Sequence, residues 1–215
     1  MNSKIISPED SFLLDCGKVF VWGDIDEDLA LKFSRHIRYV AGKGLKTIYV
    51  YIHSDGGDVD AVCSMIDEIE GVKSQGIEVN TIANGKAFSA AAYLLTFGTN
   101  RYATNNATIM LHPILFDLDL DYIDAQRSYT DFTNLKYQDL ISKVAKNCGR
   151  KSKNTVEKFM SEIKDGLWLM PKQAIKMKVI DSIWDYGWEN EINEQCNKWW
   201  VQGSVQEPRQ YNLNQ

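Results

Sequence analysis

Cysteine is scarce and scattered in this chain. Its 215 residues hold four, at positions 16, 63, 148 and 196, with no C-x-x-C pair among them. That spacing supplies neither a zinc motif nor a redox dithiol. Cys63 and Cys148 fall in helical patterns and read as plain core thiols, so a reducing cytoplasm is the expected setting. Long apolar runs are missing too: none approaches the roughly 20 residues that cross a bilayer. The N-terminus, MNSKIISPEDS, lacks the apolar core of a signal sequence. No membrane contact is therefore expected. Nor is there a run of one charge. Lys and Arg number 24 against 29 Asp and Glu, a net charge of −5, which argues against a nucleic-acid partner. No internal repeat or low-complexity tract appears. From Asn197 the chain mixes Gln, Asn, Pro and Gly and reads as a loose tail, with Trp199 and Trp200 suited to docking it.

What is present suits one ordinary globular core. Hydrophobic residues make up 44% and charged residues 25%, and the length fits a single domain. KVFVWG (18–23) reads as a strand. The segment after it places Leu29, Phe33, Ile37 and Val40 at helical spacing. TIYVYIHSDGG (47–57) is a strand entering a Gly-Gly turn, followed by a helix with Val62, Met65, Ile66 and Ile69 on one face. IEVNTIA (77–83) is a third strand, and a glycine turn follows it. This alternation implies parallel strands with right-handed crossovers, an α/β fold. TNRYAT and ATIMLH predict two short strands. Residues 120–149 predict one long helix ending at Gly149. A helix capped by Asn154, a helix opening on Pro171 and a strand in VIDSIWDYGW complete the order.

Ser89 stands alone among small apolar residues in NGKAFSAAAYLL (84–95). A serine opening a helix is ordinarily a cap or a packing residue. Here it follows a parallel strand, and the carboxyl ends of such strands are where α/β sites form. The setting is that of a nucleophile elbow, although GKAFS is not G-x-S-x-G. SDGG (54–57) is a second strand-to-helix turn. It reads as a tight turn or as a source of backbone N–H groups for an oxyanion. His112 ends a strand just before Pro113, well placed to accept the proton that makes a serine nucleophilic. His36 reads as a surface residue of the first helix, and His53 as structural, beside the turn.

These segments together resemble the proteolytic subunit of the Clp protease (ClpP) and its relatives. YIHSDGGDVDA is similar to that family's YINSPGG, and GKAFSAAAYLL to its GQAASMGAFLL nucleophile helix. NATIMLHPI is similar to its S-x-hydrophobic-M-I-H-Q-P segment. WLMPKQAIKMKVIDSI is similar to its F-(M/L)-S-A-x-E-A-x-x-Y-G-L-(I/V)-D-x-(I/V) ending. The likeness runs from about residue 18 to 185. It implies a ClpP/crotonase-type spiral of ββα units and a ring-forming serine peptidase with no metal or cofactor. Carried over, Ser89 is the nucleophile and His112 the base, with the amides of Gly57 and Ala90 as oxyanion hole. The family's acid precedes the aromatic of its closing motif. IKDGLWLM offers Asp165, one residue further from Trp168 than that spacing, with Glu162 or backbone carbonyls as fallback. Helix 120–149 becomes the handle joining two rings. Peptides or unfolded proteins are the implied substrates, stacked heptameric rings the implied homo-oligomer, and a Clp-type AAA+ ATPase the implied partner.

The division expected is a short N-terminal segment (1–17), the peptidase domain (18–186) and a C-terminal extension (187–215). The family has gate loops and a helix before its first strand, so 17 residues there count against ATPase coupling. The family's glycine-rich stretch after the histidine is replaced by PILFDLDLDYID (113–124), with Asp117, Asp119, Asp121 and Asp124. Leu118 and Leu120 alternate with these acids as an extended strand would. Tyr49, Tyr51, Trp22 and Trp168 are candidates for pockets between subunits. Two other readings are a catalytically inactive ring or scaffold subunit and a crotonase-type acyl-CoA enzyme, which shares the fold but needs no Ser–His pair.

Overall fold

Alternation along the strands gives the sheet two different faces. The computed structural model describes residues 8–114 and 123–203. In chain order these form α1 (Pro8–Asp15), β1 (Lys18–Trp22), α2 (Glu27–Gly42), β2 (Thr47–Ser54), α3 (Val59–Ser74), β3 (Glu78–Phe88), α4 (Ala90–Leu95), β4 (Asn100–Ala103), β5 (Thr108–Leu111), α5 (Ile123–Asn147), α6 (Lys153–Glu162), β6 (Leu167–Leu169), α7 (Pro171–Lys176), β7 (Ser182–Ile183) and α8 (Tyr186–Gly203). The fold is the expected α/β class, with seven strands in one sheet. Strands β1-β2-β3-β4-β7 run parallel in that order. β5 joins β3 in parallel, and β6 pairs antiparallel with β5.

Successive side chains of a strand point to opposite faces. Val19, Val21, Ile48, Val50 and Ile52 are fully buried in the main core. There they share the core with Phe33, Ile37 and Val40 of α2 and with Val62, Met65 and Ile69 of α3. Asp26 and Asp58 cap these two helices, accepting from the amides of Leu29 (2.8 Å) and Ala61 (2.6 Å). Phe20, Tyr49 and Tyr51 point the other way, into an aromatic cluster with Ile82, Tyr102, Trp184, Trp188 and Ile192. Tyr49 and Tyr51 thus lie under α8, whereas Trp22 and Trp168 are exposed.

β3 is the pivot. Its first half pairs with β2 and β4; its last residues, Lys86 to Phe88, pair with Thr108 to Met110 of β5. The expected break after residue 83 is corrected: the strand passes through Gly85, which bends it (φ +92). A Cβ on Gly85 would sit 2.7 Å from the His53 ring, so glycine is needed for this close approach. His53 is structural as read, its Nδ1 2.7 Å from the Asn84 carbonyl and its ring stacked on Trp22. His36 is half-buried rather than at the surface, and that burial lowers its pKa.

Other local expectations shift as well. Ser152, not Asn154, caps α6, in a reciprocal pairing with Thr155. The closing strand shrinks to Ser182–Ile183, and residues 197–203 of the supposed tail continue α8. The first residues of the predicted handle and the Leu118–Leu120 strand lie outside the described residues, as do the side chains of Trp199 and Trp200. Cys16 and Cys196 are joined in a disulfide, which local spacing could not reveal across 180 residues of sequence. Cys63 and Cys148 are free, the first half-buried against the core and the second buried. Burial pushes both thiols up, Cys148 to about 11.

One side chain joins the ends of four elements. Arg101 of β4 donates to both carboxylate oxygens of Asp181 and to the carbonyls of Asn147 and Lys178. Burial alone would raise the Asp181 carboxyl, but the hydrogen bonds and charge of Arg101 outweigh it and hold it below its usual range. Arg101→Ala is expected to cost about 2 kcal/mol, lowering Tm by about 4–8 °C. The native carboxyl has the lowered pKa, so its contribution is present above the unfolded value and lost in acid. The gap between wild type and variant should therefore narrow below about pH 4, as thermal melts over a pH series will read.

Candidate active site

Two adjacent parallel strands end together, and the candidate residues cluster at that end. Ser89 follows β3 directly, and its amide donates to the carbonyl of Met110 on β5 at 2.8 Å. Its backbone sits at φ +55, ψ −123, outside the regions that side chains favour. Only Ser89 and Lys178 among the described non-glycine residues have positive φ. Such a conformation costs on the order of 1–3 kcal/mol and persists where surrounding structure enforces it. Ser89 precedes α4, yet its hydroxyl makes no capping bond. The ordinary role of a serine at this position is therefore not the one it fills.

His112 lies one residue beyond β5, half-buried like Ser89. Its carbonyl accepts a hydrogen bond from the Tyr93 hydroxyl of α4, while the Tyr93 amide donates to the Ser89 carbonyl. One helical turn thus ties both backbones. Tyr93 is almost wholly buried, which raises the pKa of its hydroxyl.

The SDGG turn closes against the same point. The Ser54 hydroxyl accepts from the Gly56 amide at 3.0 Å, and Asp55 pairs with Lys86 of β3 at 2.5 Å. A Cβ on Gly56 would lie 2.8 Å from the Ser89 Cβ and 3.1 Å from the Ala90 nitrogen. Gly57 bridges to Ile25, whose carbonyl oxygen a Cβ there would meet at 2.2 Å. Among the described residues, the amides of Gly57 and Ala90 donate to no protein acceptor. Free N–H groups on two segments packed this closely are what an oxyanion needs.

A model of the Clp protease family matches residues 5–187. The chain belongs to the Clp protease family. The ATP-dependent Clp protease proteolytic subunit 3 of Streptomyces avermitilis is 35% identical over 96 residues, 44% of this chain and 42% of the relative. The ATP-dependent Clp protease proteolytic subunit 1 of Streptomyces coelicolor is 34% identical over 96 residues, with the same coverage. The matched stretch therefore spans under half the length of these relatives.

In this member of the Clp protease family, Ser89, His112, Gly57 and Ala90 lie at one end of β3 and β5. No hydrogen bond joins Ser89 to His112, or His112 to Asp165, among the described residues. Asp165 is exposed in the turn between α6 and β6. The β5–β6 pairing ends at Leu111↔Leu167, so Asp165 emerges beside the same end of β5 as His112. Glu162 instead lies 3.7 Å from Arg150. Next to His112 is a cavity of about 140 Å³, lined by Pro113, Ile114, Asn134, Gln138, Ile141 and Met160 among others. A larger cleft of about 350 Å³, between α1, β1 and α2, shares no residue with this cluster.

Sequence reasoning missed three positioning residues: Gly56, Tyr93 and Lys86. Gly56 was open to inference, because two successive glycines imply two close approaches. The role of Tyr93 follows only once β5 is known to lie beside β3.

Proposed function

We propose that this chain is a serine endopeptidase subunit, cleaving peptides or unfolded proteins inside a homo-oligomeric ring. The observation that carries the reading is Ser89: a strained backbone and an uncommitted hydroxyl, beside the strand end that bears His112. The Ser89 oxygen attacks the scissile carbonyl as His112 takes its proton. The tetrahedral oxyanion lies against the amides of Gly57 and Ala90. His112, oriented by Asp165, returns the proton to the leaving amine, and water then hydrolyses the acyl-enzyme by the reverse sequence. The cavity beginning at Pro113 seats a substrate side chain.

The peptidase domain is 18–186, with 1–17 and 187–215 as flanking segments. Phe132 and Leu135 of α5 are 65% and 71% exposed, apolar surface suited to contact between copies in stacked heptameric rings. Both relatives are named as ATP-dependent proteolytic subunits, but this reading does not require a Clp-type AAA+ ATPase. No helix among the described residues is long and apolar enough to cross a membrane. The cytoplasmic setting in this reading rests on the likeness to the Clp protease family.

A second reading, a ring subunit that cuts nothing, is favoured by the missing Ser89–His112 hydrogen bond. Catalytic hydrogen bonds are often loose before substrate binds, so peptidase activity remains the better reading. A fluorophosphonate probe separates the two. Stoichiometric labelling mapped to Ser89, with loss of peptide hydrolysis, is expected. Assembled protein that neither labels nor cleaves would establish the scaffold instead.

A further inference from the structure

Few apolar side chains among those described hold the helix that covers the aromatic face of the sheet. Among the described side chains of α8, only Ile192 and Cys196 are buried, with Trp188 half-buried. Polar and covalent contacts also hold described side chains of α8. Lys18 of β1, 5% exposed, donates to Glu189 at 2.5 Å and to Asn193 at 2.8 Å. Glu189 also accepts from the Tyr51 hydroxyl. Cys196 is bonded to Cys16, in the turn that precedes β1. Residues 189, 192, 193 and 196 form one stripe of the helix, since positions three, four and seven apart share a face. The disulfide thus fastens the far end of the same stripe that the ion pair fastens nearer its start. Beneath it lie Phe20, Tyr49, Tyr51 and Tyr102.

We propose that the Cys16–Cys196 disulfide is a thiol-operated latch on α8. Formed, it holds the helix over the aromatic face; reduced, it lets the helix lift and uncovers that face. A thiolate of an external dithiol attacks one protein sulfur, and the other leaves and takes a proton. The second thiol of the reductant then displaces the mixed disulfide. Two electrons and two protons pass to the protein, giving Cys16 and Cys196 as thiols and the reductant as its disulfide. The two cysteines keep 7% and 6% of their surface, so a small dithiol reaches them as α8 frays. The latch is independent of the peptidase chemistry, because none of its residues belongs to the Ser89 cluster.

The test uses the full chain after treatment with oxidised glutathione, compared with the same protein in dithiothreitol. Thiol titration in denaturant should count two thiols before reduction, Cys63 and Cys148, and four after it. Amide hydrogen exchange through residues 188–198 should quicken by at least about tenfold on reduction, with β2 and β3 unchanged. The hydrophobic dye anilinonaphthalene sulfonate should gain fluorescence with the same treatment. Cys196→Ser should exchange as the reduced protein does, with or without oxidant. Four thiols in the oxidised sample would overturn the latch. So would identical α8 exchange in the two states, which would show that packing alone holds the helix.

Discussion

Replacing Ser89 with alanine is expected to abolish peptide cleavage, lowering kcat by about 10⁴–10⁶-fold while leaving fold and assembly intact. Both halves of that expectation come from local geometry. The Ser89 hydroxyl makes no capping bond, so its removal orphans no buried donor. Alanine inherits the same positive φ, so the strain already present is not increased. Stability should change by no more than about 0.5–1 kcal/mol. The loss should fall on kcat, because a serine that attacks the carbonyl contributes bonding only after substrate is seated. Turnover unchanged in the variant, with intact particles, would remove Ser89 from the mechanism.

The same geometry explains which features were legible in the letters. Strand positions were legible because inward Val and Ile alternate with outward Phe and Tyr from residue 19 to 21 and from 48 to 52. The resemblance to the Clp protease family was legible because four motifs keep their order, and the family match bears it out. Illegible features depend on distant parts of the chain. IWDYGW carries aromatic residues that favour strands. Trp184 and Trp188 nevertheless pack on the sheet from the residue just after β7 and from a helix. Gly85 reads as a turn locally, yet β5 and β2 pair with the segment beyond it and keep it extended. Asn154 is as good a cap by type as Ser152, and only the Thr155 contacts decide between them.

Asp165→Asn is expected to lower kcat by about 10³–10⁴-fold, with a much smaller change in KM. The structural basis is register. β6 runs antiparallel to β5, and their last pair is Leu111↔Leu167. The next residues on each strand, His112 and Gly166, continue toward the same end, and Gly166 turns the chain at φ +87. Strand pairing thus brings Asp165 toward the end of β5 that bears His112, the base in the proposed mechanism, despite the extra residue before Trp168. It is exposed and has no hydrogen-bond or ion-pair partner among the described residues, so asparagine should leave stability within about 0.5 kcal/mol of wild type. An amide in place of the carboxylate no longer stabilises the imidazolium formed during attack, so the loss appears in the chemical step. Glu162 is the competing carboxylate, and its approach to Arg150 directs it elsewhere. If Asp165→Asn costs less than about tenfold while Glu162→Gln costs a hundredfold or more, the orienting role passes to Glu162. If neither matters, His112 is oriented through its backbone alone, by the Tyr93 hydroxyl on its carbonyl, and the site is a dyad.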